Sequence, residues 1–177
     1  MTHALRRLAL PLLLALLLAA CSSVPRTPTE GEILSGRLSV QVETEPGATP
    51  RAVSAAFELS GDPRSGRLDL NNPLGNVMAQ ASWAPGSVVL KTPQATTDYP
   101  DLDALTRVVL GESLPVAALF DWLRGRPWPG APSQPDPVAA GFEQLGWAVN
   151  LARFDEGWVT ARRTRQPVVT VRARLDR

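Results

Sequence analysis

Few side chains in this sequence have the chemistry to make or break bonds. Cys21 is its one cysteine and His3 its one histidine. The Cys21 thiol is the only soft nucleophile, open to acylation, oxidation or metal binding. His3 stands at the very start, ahead of a long apolar run. Two close pairs of acids remain, Asp101 with Asp103 and Asp155 with Glu156. Paired carboxylates serve acid–base chemistry of the glycosidase kind. Such pairs are more commonly helix starts and turns, where a carboxylate accepts backbone N–H groups, and that is how both are read here.

The setting of Cys21 decides what its thiol is for. Met1 to Arg7 carries Arg6 and Arg7 and no acid, and Leu8 to Leu18 is leucine, alanine and one proline. Ala19-Ala20 then puts small side chains before the cysteine, completing the three-part form of a secretory signal over residues 1–20. The apolar run is too short to cross a bilayer as a helix, which takes about 20 residues. Leu18-Ala19-Ala20-Cys21 resembles the bacterial lipobox, in which the thiol is diacylglycerylated, the chain is cut before the cysteine and the new amine is acylated. Cys21 is therefore the expected lipidation site, and a covalent N-acyl diacylglycerol the only prosthetic group expected. Ser22 after it resembles cargo sent on to the outer membrane. Two anchoring signals hold a protein on a bilayer where one acyl chain binds only marginally.

Removal of residues 1–20 takes His3 and leaves no imidazole, and lipid consumes Cys21. Ser-His-Asp and Cys-His relays are then excluded, as are zinc sites built from His and Cys. No enzyme is expected, no metal and no further cofactor. The 157 residues from Cys21 onward carry 16 basic and 17 acidic side chains, about −1 net, the size of one domain. That balance is no footprint for nucleic acid. There is no glycine fingerprint for a nucleotide.

Ser22 to Gly31 (SSVPRTPTEG) has almost nothing to bury and reads as a tether of roughly 35 Å at full reach. Residues 32–177 are expected to form the single domain. From Gly36 the pattern has period two: Leu38, Val40 and Val42; Val53, Ala55, Phe57 and Leu59; Leu68 and Leu70; Val77, Ala79, Ala81 and Trp83; Val88 and Leu90. Turn residues at Gly61-Asp62-Pro63 and Pro85-Gly86 separate the runs, which predicts an antiparallel sheet with one apolar face. The period then changes. A helix is expected from Asp101, with Leu102, Leu105, Val108 and Val109 on its inward face and Gly111 at its end. A second is expected with Ser113 as cap, Pro115 in its first turn, a stripe of Val116, Leu119, Phe120 and Leu123, and Gly125 beyond it. Both are apolar on one side, so both should lie on the sheet. Arg126 to Pro137 holds five prolines and reads as an irregular strap. Alternation returns at Trp147, Val149 and Leu151, at Trp158 to Arg162 and at Val168 to Leu175. Six or more strands, two helices and further strands in one curved sheet are predicted. The basic residues of the last strands, Arg162, Arg163, Arg165, Arg172, Arg174 and Arg177, read as a solvated outer face that guards against strand pairing, with a docking surface for an acidic partner as the open alternative.

Gly36-Arg37-Leu38, the "NNPLGN" turn at Asn71 to Asn76, "LPVAALFDWLRGRPWPG" from Leu114 to Gly130 and "FEQLGWAVNLARF" from Phe142 to Phe154 together resemble the LolB family of lipoprotein receptors. The resemblance covers nearly all of the chain after the tether. It implies an incomplete antiparallel β-barrel closed by a helical lid over a hydrophobic cavity. It also implies a monomer on the periplasmic face of the outer membrane that accepts acylated lipoproteins from the soluble carrier LolA and inserts them among outer-membrane lipids. Candidate cavity residues are Leu38, Phe57, Leu59, Trp83, Leu119, Phe120 and Trp122, each of which would equally serve as plain core. The resemblance further implies that Pro73, Leu74 and Gly75 form a protruding insertion loop with Leu74 exposed. Two rivals remain open: a lipid-shuttling lipoprotein with a similar half-barrel, and an assembly lipoprotein working through a flat surface.

Overall fold

The computed structural model describes residues 33–44 and 51–176. Cys21, the signal, the tether and Arg177 lie outside them. Eleven β-strands join one antiparallel sheet in an order that returns on itself. They are β1 (Leu34–Glu43), β2 (Arg51–Gly61), β3 (Gly66–Asn71), β4 (Val77–Ala84), β5 (Ser87–Lys91), β6 (Thr96–Tyr99), β7 (Ser133–Pro135), β8 (Gly141–Gln144), β9 (Trp147–Asn150), β10 (Trp158–Arg163) and β11 (Val168–Leu175). The order is β6-β5-β4-β3-β2-β1-β11-β10-β9-β8-β7, so the first and last strands pair at the middle and β6 and β7 are free edges. The barrel is thus open, as expected of an incomplete one. No helix among the described residues is long and apolar enough to cross a membrane.

The period-two runs place their apolar members on one face. Val40 and Val42 of β1, Ala55, Phe57 and Leu59 of β2, Ala81 and Trp83 of β4, and Val169, Val171 and Ala173 of β11 are all buried. Two glycines let strands approach closely. A Cβ at Gly36 would sit 2.0 Å from the Arg174 carbonyl oxygen across the β1–β11 seam, at a φ of 154° that L side chains rarely adopt. At Gly66 it would meet the Trp83 ring at 2.5 Å. Trp83 takes that space and donates its indole N–H to the Asp62 carbonyl at 3.0 Å.

Two helices cover this face. In α1 (Leu102–Leu110) the Asp101 carboxylate accepts the Ala104 N–H at 2.6 Å, and Gly111 ends it in the left-handed region. The expected stripe is corrected: Leu105 and Thr106 face inward, while Val108 is 67 % exposed and Val109 47 %. The Thr106 hydroxyl accepts the Leu114 N–H, drawing its side of the helix toward the core and turning Val108 outward. In α2 (Val116–Trp122) Pro115 holds the cap position and makes no side-chain cap bond, so Ser113 is not the cap. Nor is α2 apolar on one side only. Ala118, Phe120, Asp121 and Trp122 are all buried: Trp122 packs on Phe142 and Trp147, and Asp121 pairs with Arg126 at the start of the proline-rich strap. Gln144 pins that strap: its amide donates to the carbonyls of Trp128 and Ala131, and its oxygen accepts from the Trp128 N–H and the Trp122 indole. The strap also supplies β7, an exposed edge strand where proline is tolerated.

Candidate functional site

Three features can handle an apolar, membrane-bound cargo: a protruding hairpin, the covered inner face, and the join between strands and lid. The hairpin joins β3 to β4. Asn72 builds it, its side-chain oxygen accepting the N–H groups of Leu74 at 2.9 Å and Asn76 at 3.0 Å. Its backbone accepts from Gly75 and donates to Asn76, each at 2.9 Å. Pro73 and a left-handed Gly75 suit that tight path. Nothing in this network involves the Leu74 side chain, which is 85 % exposed. Val77 and Met78 extend the apolar tip, at 53 % and 40 % exposed. The alternation places Val77 inward, yet a register shift at Leu70/Asn71 accompanies the start of β4 and Val77 stands in solvent. Two adjacent apolar residues at a strand start were the available signal, since successive side chains point to opposite faces.

The seven candidate lining residues share the inner side. Phe57, Leu59, Trp83, Phe120 and Trp122 are buried, and Leu38 and Leu119 pack half-buried against the same cluster. Trp83 and Phe120 meet edge to face with centroids 5.8 Å apart, joining sheet to lid. Trp122 sits deeper, against Trp147 at 5.9 Å and Phe142 at 6.5 Å, with its N–H on Gln144. The inner face is closed by the helices in this structure.

Arg163 corrects the reading of the C-terminal arginines. It follows Val159 and Ala161 onto the inner face and is buried, while Arg162, Arg165, Arg172 and Arg174 are exposed. Its guanidinium reaches Glu112, in the α1–α2 connection, at 2.9 Å, donates to the Pro167 carbonyl at 3.0 Å and lies 5.6 Å from the Trp147 ring centroid. Its Nε has no partner among the described residues. The pair ties the lid connection to β10. Glu112→Ala should leave the guanidinium under-satisfied and lower stability by about 1–3 kcal/mol, read from urea unfolding. An unchanged midpoint would show that the pair is idle.

The carboxylate pairs behave as turn and cap residues. Asp101 caps α1, and Glu156 pairs with Arg153, whose hydrogen bond holds the Glu156 carboxyl below its ordinary value.

A family model described as outer membrane lipoprotein LolB matches residues 33–171. The outer-membrane lipoprotein LolB of Bordetella petrii is 38 % identical over 154 residues, covering 81 % of this chain and 76 % of the relative. That of Cupriavidus metallidurans is 34 % identical across 97 % of this chain and 87 % of the relative. That of Chromobacterium violaceum is 34 % identical across 83 % of each.

Proposed function

Because this chain belongs to the LolB family of outer-membrane lipoproteins, we propose that it is a receptor that takes acylated lipoproteins from the carrier LolA and inserts them into the outer membrane. The observation that carries this reading is the exposed Leu74 on a hairpin built without it, beside a sheet whose apolar face packs against two short helices. Each CH2 group moved out of water is worth about 0.8 kcal/mol, so a multi-chain anchor needs an apolar shelter between carrier and bilayer. Leu38, Phe57, Leu59, Trp83, Leu119 and Phe120 supply that shelter once the helices lift from the sheet, and Trp122, held by Gln144, keeps α2 attached at its far end. No covalent step is involved. Transfer follows a difference of affinities, the receptor holding the acyl chains better than the carrier and the bilayer better still.

In this reading residues 1–20 are removed as a signal, Cys21 carries the lipid, and residues 22–31 tether a monomeric domain to the periplasmic face of the outer membrane. Pro73, Leu74 and Gly75 enter the bilayer during handover. Depletion of the protein from cells is the direct test. Acylated lipoproteins should accumulate on the soluble carrier, and a normal distribution would remove the assignment in favour of a lipid-shuttling or assembly role.

A further inference from the structure

The opposite face of the sheet carries a feature that acyl binding does not use. A groove of about 1270 Å³ runs over β2, β1 and β11. One wall is the Leu74 hairpin, through Asn72, Pro73 and Gly75, and the other is Trp158 with Asp155 and Glu156. Its floor is low because Ser39, Ser54 and Ala56 are small.

Three arginines line this floor. Strand alternation puts Arg37 of β1 and Arg172 and Arg174 of β11 on the outer side, all exposed. Arg37 and Arg174 are direct partners across the central seam, and Arg172 faces Ser39 in the next row. Like charges opposed across a ladder destabilise it. Among the described residues no carboxylate comes within ion-pair distance of any of the three. Arg174 lies over the Trp158 ring at 5.7 Å, and Glu156 at the rim is committed to Arg153. Asp155, Glu156 and Asp176 line the same groove and the Arg174 charge acts on the Glu156 carboxyl, yet none of the three carboxylates pairs with the guanidinium row, which begins at the base of the apolar hairpin.

We infer that this groove is a docking surface for the phosphates of anionic glycerophospholipid headgroups, which lays the outer face of the sheet on the bilayer and sets the angle at which the Leu74 hairpin enters. Guanidinium forks match phosphate oxygens in pairs, which suits three arginines to a headgroup layer better than to a single small anion. Trp158 adds an amphipathic ring of the type that settles at the membrane–water boundary. An apolar tip and an arginine recess joined by five residues of hairpin match the depth order of a leaflet, with acyl chains inside and phosphates above. The inference rests on the hairpin being the membrane-entering element.

The test is residue-resolved labelling of the full mature lipidated protein with phenylglyoxal. It is held in vesicles of phosphatidylcholine alone or of phosphatidylcholine with phosphatidylglycerol. Each basic side chain at an anionic surface strengthens association by about fivefold, so labelling of Arg37, Arg172 and Arg174 should slow by about tenfold or more in the anionic vesicles. Arg107, exposed on α1, should label equally in both. Protection should vanish in about 1 M salt, where the screening length falls to about 3 Å. Equal labelling in the two vesicles would overturn the inference. So would equal protection by soluble glycerophosphoglycerol at matched phosphate, which would mark a free-anion site, or protection only on addition of the carrier, which would mark a protein interface. Failure of the hairpin reading shows separately, as normal cargo incorporation by Leu74→Glu whatever the arginines do.

Discussion

Leu74→Glu should leave a folded, cargo-loaded receptor that cannot deliver. The Leu74 side chain is 85 % exposed and the hairpin is closed by Asn72, so unfolding stability should stay within about 0.5 kcal/mol of the parent. The inner face is untouched, and acylated lipoprotein should still pass from the carrier to the variant. Incorporation into vesicles should fall by about tenfold or more, since an acidic side chain in an apolar layer costs several kcal/mol relative to leucine. Val77 and Met78 remain, so some activity should persist. Leu74→Phe, which restores apolar area without charge, should recover most of it. Normal delivery by the glutamate variant would dismiss the hairpin as the inserting element and leave the sheltering face to be tested alone.

Gln144→Leu should produce the largest loss of stability of any single change proposed. The substitution keeps the volume and strands four polar groups: the Trp122 indole N–H, the Trp128 N–H, and the carbonyls of Trp128 and Ala131. Buried groups left without partners cost about 1–3 kcal/mol each, partly offset where the strap swings out to water, for a net of about 3 kcal/mol. The urea midpoint should drop by about 1–2 M. Amide exchange should quicken first at Trp128, ahead of β1, β2 and β11. A change of only a few tenths of a kcal/mol would show that the strap is held by its prolines and not by Gln144.

How much of this was readable in the chain follows from what each segment buries. Strands β1, β2, β10 and β11 declare themselves because one face is core and the other is water. Strand β6, Thr-Thr-Asp-Tyr, and strand β7, Ser-Gln-Pro, lie at the free edges and bury almost nothing, so no period marks them. Strand β8 is hidden by its turn. Leu145 and Gly146 both take positive φ in a two-residue connection where leucine is the wrong signal, and Leu145 is the only non-glycine to do so among the described residues. The helices were legible as helices but not in their facing, since the Thr106 bond to Leu114 and the packing of Trp122 on Phe142, Gln144 and Trp147 decide which sides are buried. At the site, turn chemistry marked the Asn72 hairpin and a family resemblance supplied Leu74's role. Arg172 and Arg174 were visible as part of a basic strand, but their meeting with Arg37 was beyond reach. Arg37 and Arg174 come from opposite ends of the chain and become neighbours only through the register of β1 with β11.

That same pairing dictates an order of events. Strands β1 to β6 form a continuous meander that can zip up as it emerges, and β7 to β11 form another. The two halves meet only when the last strand made lies beside the first, at the middle of the sheet. Contacts so far apart in sequence form slowly, because the intervening chain must be closed as one large loop before they return any energy. During synthesis, then, β1 waits with an open edge until β11 arrives. The chain stays incomplete, and threadable, for as long as any of it remains to be delivered.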